Sequence, residues 1–544
     1  LFQAYISVDV GTSSVRVGIF SDAGDLLGYA TEPVEIYRPA PMMFEQSSDG
    51  VWAAVCACVR SVLAKTGQKP AEVKAIGFAA TCSLVVLDDN RQPLSTCGSH
   101  SHHNIIMWLD HRATEEARFI NKTGHRLLQH VGGFLSPEMQ PPKLLWLKKN
   151  RGTDWLKSAG YVLDLCDFLT LRATDCDSRS RCSVVCKWLY DSERDSWDES
   201  FWKTIGLSVL LEDGHRRIGS KILEIGDAVG TGLTQRAAAE LGGLSPGTVV
   251  STGILDAHAG GLGSILCKAP GLDDLPIHRR MALIAGTSSC HLALSRKKEL
   301  VPGAWGPYLS VMVPALWLTE SGQSASGLLL DYVLRRMGTL DEKSVSYSAL
   351  DDVIKCLAGM AKEKGLSEID RLTAEVHVWP DLHGNRSPLA DPDLSGMLLG
   401  WRMYDSDDEW AVLYLATVQA LAYGTRHIVE NLRQHRIDAI YLAGGLRRNR
   451  LYVQAHADVL NVPVVLPACD ESILQGVAVS SATAAGQFST VSQAMDALCG
   501  QGEVVMPNPA VREYHDRKYN VFMELMQCQH NVRRIMTARK SANN

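Results

Sequence analysis

The chain has 544 residues, 46% apolar and 21% charged, with 54 basic side chains against 60 acidic ones and a formal net charge of -6. That length holds two or more domains, each able to bury its own core. The mildly acidic balance excludes the basic field that nucleic acid or an anionic membrane requires, and no apolar stretch approaches the roughly 20 residues of a membrane span.

The chain opens without methionine at Leu1-Phe2-Gln3 and goes almost at once into an apolar run. No signal or transit peptide is expected, although a leader removed beforehand would leave the same sequence. Ala4 to Val8 and Val15 to Phe20 read as strands flanking the polar stretch Asp9 to Arg16, Asp-Val-Gly-Thr-Ser-Ser-Val-Arg, and Ser21 to Asp25 closes a further turn. A hairpin needs only Asn-Gly or Asp-Gly at its tip. This tip carries a carboxylate, a glycine, three hydroxyls and a guanidinium. Glycine lets backbone amides approach an anion and the hydroxyls add donors, a surface suited to phosphate. Asp9, at the end of its strand, is placed to hold a metal ion beside it. The competing reading is a polar hairpin without chemistry.

An amphipathic helix is expected around Val51 to Lys65, capped from Ser47-Ser48-Asp49. Val73 to Phe78 and Leu84 to Leu87 read as two strands about the small polar tip Ala80-Thr81-Cys82-Ser83. Ile105 to Arg112 reads as an apolar strand ending in charge, followed by a helix through Ala113 to Ile120; Lys143 to Asn150 and Phe168 to Thr174 look helical. Thr248 to Val250 is a strand giving onto Gly253-Ile254-Leu255-Asp256-Ala257-His258-Ala259-Gly260-Gly261. The fourteen cysteines fall mostly inside apolar segments, as Cys56, Cys58, Cys82, Cys166, Cys290 and Cys469 do, and read as buried reduced thiols of a cytosolic protein. Cys182 with Cys186, and the run His100, His102, His103, lack a second ligand pair at zinc-site spacing and are assigned no metal.

Met281 to Leu294 repeats the opening hairpin, with Gly286-Thr287-Ser288-Ser289 for Gly11-Thr12-Ser13-Ser14; the glycines are 286 minus 11, or 275, residues apart. Two similar halves, 1–272 and 273–544, are therefore expected, divided in the stretch Lys268 to Pro276. Their phosphate-type turns would face each other across a cleft and hold a polyphosphate. A third glycine turn follows the strand Ile440-Tyr441-Leu442, as Ala443-Gly444-Gly445-Leu446-Arg447-Arg448-Asn449, and a helix begins near Leu451, an arrangement suited to a nucleotide. The small-residue helix Gln475 to Gly486 would pack near this turn and leave space for a flat base, or serve simple tight helix packing.

Together these pieces resemble the FGGY carbohydrate kinases, of the sugar kinase, heat-shock ATPase and actin superfamily. The resemblance runs through Asp9 to Ser14, Trp108-Leu109-Asp110-His111-Arg112, Lys143-Leu144-Leu145-Trp146-Leu147, Asp256 to Gly260 and Gly286-Thr287-Ser288. It continues in Gly384-Asn385-Arg386-Ser387-Pro388 with Asp391-Pro392, in Ala443-Gly444-Gly445 with Asn449, and in the Tyr514 to Tyr519 tail. Thr81-Cys82-Ser83-Leu84, Lys187, and Glu320 followed by Gly322-Gln323-Ser324 look like the ribulokinase branch, which includes the eukaryotic FGGY-domain D-ribulose kinases. Glu138 stands where many members have an aromatic or small residue. The Gln-Met-His-Gly sugar loop of xylulokinases and the Gln-Arg-Glu loop of glycerol kinases are missing, with Ala80-Thr81-Cys82-Ser83 in their place.

The resemblance implies an α/β fold of two ribonuclease H-like (actin-like ATPase) domains related by duplication, with a cleft between them. It implies ATP-dependent, Mg2+-supported transfer of a phosphoryl group to the terminal C5 hydroxyl of a pentulose, D-ribulose before all, in the cytoplasm and from a homodimer. Asp256 would be the general base, with a helix cap as its bland alternative, and Asp9 and Asp256 would hold the metal. Gly11, Thr12, Ser13, Arg16, Gly286 and Thr287 would bind phosphates; Gly322, Gly444, Gly445 and Asn449 would line the nucleotide site. The sugar contacts implied are Thr81, Glu138, Lys187, Asp256 and Glu320, with Asp110 a weaker member. Lys187 and Asp110 have structural ion pairs as alternatives, but a cation in the apolar run Val184 to Leu189 needs a partner. Other readings are an L-ribulose, ribitol or D-xylulose kinase, a nucleotide-switched interaction protein, and an inactive sugar sensor. The actin and heat-shock branches lack the Trp108 to Arg112 and Arg386 to Pro388 segments, and intact Asp9, Asp256 and paired Gly-Thr-Ser-Ser turns speak against a sensor.

Overall fold

The computed structural model describes residues 3–98, 100–336, 347–402, 407–432 and 436–538. Two mixed sheets carry the fold, and they repeat one strand order. In the first, Ala4–Val10 pairs antiparallel with Ser14–Ser21, which pairs antiparallel with Leu26–Pro33; on its other side Ala4–Val10 runs parallel to Val73–Ala80, itself parallel to Val249–Val250. In the second, Arg280–Ala285 pairs antiparallel with Ser289–Ser295, which pairs antiparallel with Trp317–Gln323. Its other side runs parallel to Ala439–Ala443, itself parallel to Val464–Leu466. The duplication suggested by a four-residue repeat is thus present in the topology of both halves, and each Gly-Thr-Ser-Ser turn ends the first hairpin of its sheet.

Ala4–Val10 is buried along its whole length, as a central strand covered on both faces must be. One face of this sheet is covered by the helix Ser48–Thr66, which begins where Ser47 Oγ accepts the Gly50 amide and packs on Ser14–Ser21 and Leu26–Pro33. Ala4–Val10 and Val73–Ala80 also pack against Ser472–Ala484, a helix from the other half of the chain, while Asp256–Leu262 packs on Arg280–Ala285 and Ser289–Ser295. The two exchanged helices cross with almost no space between backbones. A Cβ on Gly476 would stand 1.8 Å from the Ala259 carbonyl oxygen, and one on Gly263 would stand 2.0 Å from that of Ser472. Tight packing therefore accounts for the small residues of Ser472–Ala484, whose first residues, Ser472 and Ile473, still reach the cleft. Gly476→Val is expected to lower stability by about 1–3 kcal/mol or more, read as a lower denaturation midpoint at unchanged slope.

Val73–Ala80 and Leu84–Asp88 are the two strands expected about the small polar tip, and they do not pair with each other: Leu84–Asp88 belongs to a separate small sheet, antiparallel to Ile105–Ile106 and Ala159–Asp164, and Thr81 to Ser83 carry the chain from one sheet to the other. One local expectation is corrected. The strand expected over Ile105 to Arg112 is only Ile105–Ile106 long. Beyond it side chains take over the pairing, with Lys143 Nζ donating to the Met107 carbonyl at 3.0 Å and Asp110 accepting from Arg112 and from the Phe44 amide. Of the cysteines expected to be buried, Cys56, Cys58 and Cys166 are, whereas Cys82, Cys290 and Cys469 are partly exposed; among the described residues no helix is long and apolar enough to cross a membrane.

Candidate active site

Both Gly-Thr-Ser-Ser turns open onto one cavity of about 370 Å³ between the sheets. Gly11 closes the first turn by donating its amide to Ser14 O at 2.9 Å, and Gly286 closes the second by donating to Ser288 O at 2.9 Å. The first turn is held from outside: Gln46 Nε2 donates to the Thr12 carbonyl and Trp108 Nε1 to Thr12 Oγ1, each at 3.1 Å. The second is held by the Ser326 amide on the Thr287 carbonyl at 2.9 Å. Thr12, Arg16, Thr287, Gly444 and Gly445 complete an amide- and hydroxyl-rich wall on this side, the chemistry that cradles phosphates.

Asp9 lies directly across the hairpin from Arg16, and their side chains form an ion pair; Arg16 Nη1 also contacts Glu471 Oε2 at 2.9 Å. Asp9 has no exposed surface, and its Oδ1 is buried without a hydrogen-bond partner. Burial pushes the Asp9 carboxyl up, against the pull of Arg16. An orphaned carboxylate oxygen, held by Arg16 just behind the phosphate wall, is the donor that a hard cation takes, so the residues present fit a divalent metal. Asp256 begins the helix Asp256–Leu262 and lines the cavity, its Oδ1 accepting the Ala257 amide at 2.8 Å. Burial first, and then the charge of nearby Asp9, push its carboxyl up to about 7.

The opposite end of the cavity is built from charged side chains. Lys187 Nζ lies 4.5 Å from the centre of the Trp305 ring. Burial would lower its pKa, but the Glu320 carboxylate holds it well above the usual lysine range. Burial likewise pushes Glu320 up, and Lys187 and His258 outweigh that and hold it down to about 2. His258 bridges inward, its Nε2 3.2 Å from Glu320 Oε2 and its Nδ1 3.0 Å from Cys182 Sγ. Burial disfavours the imidazolium, yet these two neighbours raise His258 to about 10. Glu138 sits between His111 Nε2 at 3.5 Å and Arg386 Nη2 at 3.8 Å; burial would raise its carboxyl, and the Arg386 charge, with the His111 contact behind it, brings it down to about 2. Gaps of this length are long for direct hydrogen bonds, which leaves these groups able to turn toward hydroxyls placed in the cavity.

Of the residues implied by the resemblance, Gly11, Thr12, Arg16, Gly286, Thr287, Gly444 and Gly445 meet on the phosphate side, and Thr81, Glu138, Lys187, Asp256 and Glu320 on the other. Five lie off the cavity wall. Asp9 is fully buried behind Arg16, its ion-pair partner, which does line the cavity. Asp110 is fully buried and bound to Arg112. Asn449 caps the helix Arg450–Leu460 through the Tyr452 amide and donates to Tyr414 Oη at 2.8 Å. Gly322 opposes Cys290 in the second sheet, where a Cβ would stand 2.5 Å from the Ser289 carbonyl oxygen and 3.2 Å from Arg386 Cδ. Ser13 is exposed, its carbonyl accepting the Val34 amide. Arg386, Trp305, His258 and Glu471 line the cavity without having been assigned a role. Arg386 and His258 stood inside quoted motifs, whereas Trp305 and Glu471 carry no local signal.

Residues 4–263 match the N-terminal domain of the FGGY family of carbohydrate kinases, and residues 281–485 match its C-terminal domain. The chain belongs to the FGGY family of carbohydrate kinases. It is 45% identical over 542 residues to a human FGGY carbohydrate kinase domain-containing protein, covering 98% of each chain. It is 35% identical over 517 residues to a D-ribulokinase of Saccharomyces cerevisiae, covering 89% of this chain and 72% of that one. Among solved structures, xylulose kinase from Rhodospirillum rubrum superposes with a TM-score of 0.77 at 20% identity, over 97% of this chain and 99% of the other; at that identity the likeness concerns the fold alone. As an FGGY kinase the chain is a sugar kinase, and kinases of this family use ATP, normally with a divalent metal ion.

Proposed function

We propose that the protein phosphorylates the C5 hydroxyl of a pentulose, D-ribulose giving D-ribulose 5-phosphate, with Asp256 as general base. The half 1–272 supplies that base and most of the sugar contacts, and the half 273–544 most of the nucleotide wall. The observation that carries this reading is the position of Asp256: a carboxylate titrating near neutrality, between a double phosphate turn and a cluster of sugar-type polar groups. Asp256 Oδ2, the oxygen not bound to the Ala257 amide, takes the proton of the C5 hydroxyl. The C5 oxygen then bonds to the γ-phosphorus as the bond to the β,γ-bridging oxygen breaks and ADP leaves. Asp9 and Asp256 would hold Mg2+, whose chemistry there is neutralisation of phosphate charge. The chain's own part is positioning and electrostatic stabilisation, with Arg16 and the turn amides on the phosphates.

D-Ribulose is supported by the name of the yeast relative at 35% identity; Glu138 beside Arg386, and Glu320 under the charge of Lys187, offer the hydroxyls of a sugar both acceptors and donors. A hydroxyl of the wrong hand would leave one of these buried groups unpaired, which discriminates strongly. The test is ADP release across a panel of D-ribulose, L-ribulose, ribitol, D-xylulose and glycerol. The highest kcat/KM is expected with D-ribulose. Preference for another pentulose or ribitol would replace the substrate and keep the chemistry, whereas sugar-independent ADP release would overturn the kinase reading.

A further inference from the structure

A group of metal-ligating side chains lies apart from the cleft wall, on the small sheet beside it. Glu45 sits on the two-residue strand Glu45–Gln46, antiparallel to Ile105–Ile106, while Cys97 and His103 come from the loop entering Ile105–Ile106. A carboxylate oxygen of Glu45, the sulfur of Cys97 and a ring nitrogen of His103 lie within 4.8 Å of one another. Glu45 has no exposed surface. Its Oε1 is engaged by Arg112 Nη1 and Thr96 Oγ1, each at 2.9 Å. Its Oε2 is buried with no hydrogen-bond partner, and so is Nδ1 of His103.

Those two atoms stand 3.7 Å apart, beyond a hydrogen bond. The imidazole is held in place, stacked on Tyr37 with ring centres 3.8 Å apart, and His100 packs against it at 4.7 Å. Two buried polar atoms left unsatisfied side by side are costly unless something binds both. Oxygen and nitrogen ligands about 2.0–2.2 Å from a tetrahedral zinc ion, with sulfur at about 2.3 Å, stand roughly 3.3–3.6 Å from one another, close to the gap observed. The contrasting group, Asp370, Asp458 and His515, is closed on itself. His515 meets Tyr423 Oη at 2.8 Å and Asp370 Oδ1 at 3.1 Å, and Asp458 Oδ1 accepts from the Asn508 amide at 2.6 Å and from Gln454 at 2.8 Å.

We propose that Glu45, Cys97 and His103 bind one divalent transition-metal ion of the zinc class per chain, with the fourth position left to water. A thiolate and an imidazole select such an ion over Mg2+ or Ca2+, which take oxygen ligands, so this site is chemically distinct from the one at Asp9 and Asp256. Gln46, next to Glu45, donates to the Thr12 carbonyl, and Arg112 joins Glu45 to Asp110. The ion would therefore brace the strand that supports the first phosphate turn. Binding expels the Cys97 thiol proton to solvent.

The experiment uses the full chain, stripped with chelator and titrated with Co2+ in the presence of excess Mg2+. One Co2+ per chain is expected, with a near-ultraviolet thiolate-to-cobalt charge-transfer band and the intense visible bands of four-coordination, displaced by an equivalent of Zn2+. Cys97→Ser should abolish the charge-transfer band, and His103→Gln should weaken Zn2+ binding at least tenfold. Should Cys97→Ser fail to fold, the His103→Gln titration and the Zn2+-dependent rise in thermal midpoint of the native chain decide the matter. Absence of the band, its persistence in Cys97→Ser, or a Zn2+ affinity unmoved by His103→Gln overturns the site.

Discussion

Asp256→Asn is expected to lower turnover by about 10²- to 10⁴-fold, the range a positioned general base contributes, and to leave ATP binding nearly unchanged. The amide keeps the shape of the carboxylate and cannot take the proton of the C5 hydroxyl. For the native enzyme kcat/KM should rise with pH through about 7, where the Asp256 carboxyl titrates under burial and the charge of Asp9, and then level off. The same shift predicts an opposite trend in stability. The folded-state pKa lies above the ordinary value of 3.8, so the folded chain binds the proton more tightly than the unfolded one. That stabilisation is complete below about pH 4 and is lost as pH rises through about 7. Asp256→Asn, which imitates the protonated form, should therefore melt above the native chain at pH 8, by a margin that shrinks toward pH 5. Near-normal turnover in the variant would remove Asp256 from the role of base. A turnover loss with no gain in stability at pH 8 would mean that the carboxylate is well solvated.

How much of this was legible in the sequence depended on whether the signal was local. The turn at Gly11 to Ser14 and its copy at Gly286 to Ser289 could be read because strand alternation, glycine and hydroxyls all fall within a dozen residues, and the repeat then implied the paired sheets. The strands at Val73 to Leu87 show the limit: two apolar runs about a polar tip look alike whether the strands pair with each other or join different sheets, and only the partners Ile105–Ile106 and Ala159–Asp164 decide it. Asn449 follows the right turn and Gly322 stands in a strand beside the cavity, yet their work is capping and clearance, roles that depend on Tyr414 and on Ser289 and Arg386 far away in sequence. Trp305 and Glu471 were invisible for the same reason, since each gains its meaning from one distant residue, Lys187 or Arg16.

Lys187→Met should abolish productive sugar binding, raising KM for the pentulose by two orders of magnitude or more while KM for ATP changes little. The substitution removes the charge that does most to hold Glu320 ionised in a buried setting and leaves that carboxylate to His258 alone; removing one charge from a buried cluster costs up to about 3–5 kcal/mol. Stability will therefore fall as well, and a loss of activity alone would not distinguish a sugar contact from a structural ion pair. The double variant Lys187→Met, Glu320→Gln separates them, because it removes both charges together while the amide oxygen still accepts from His258 Nε2, and losing both charges of a buried couple is far less costly than losing one. If the pair serves the sugar, the double variant should recover the thermal midpoint and still fail to bind the pentulose, since Trp305 and His258 are left with no ionised group between them to meet a hydroxyl. If the double variant regains both stability and a native KM, the pair is a structural element, and the sugar is selected at Glu138 and Arg386 instead.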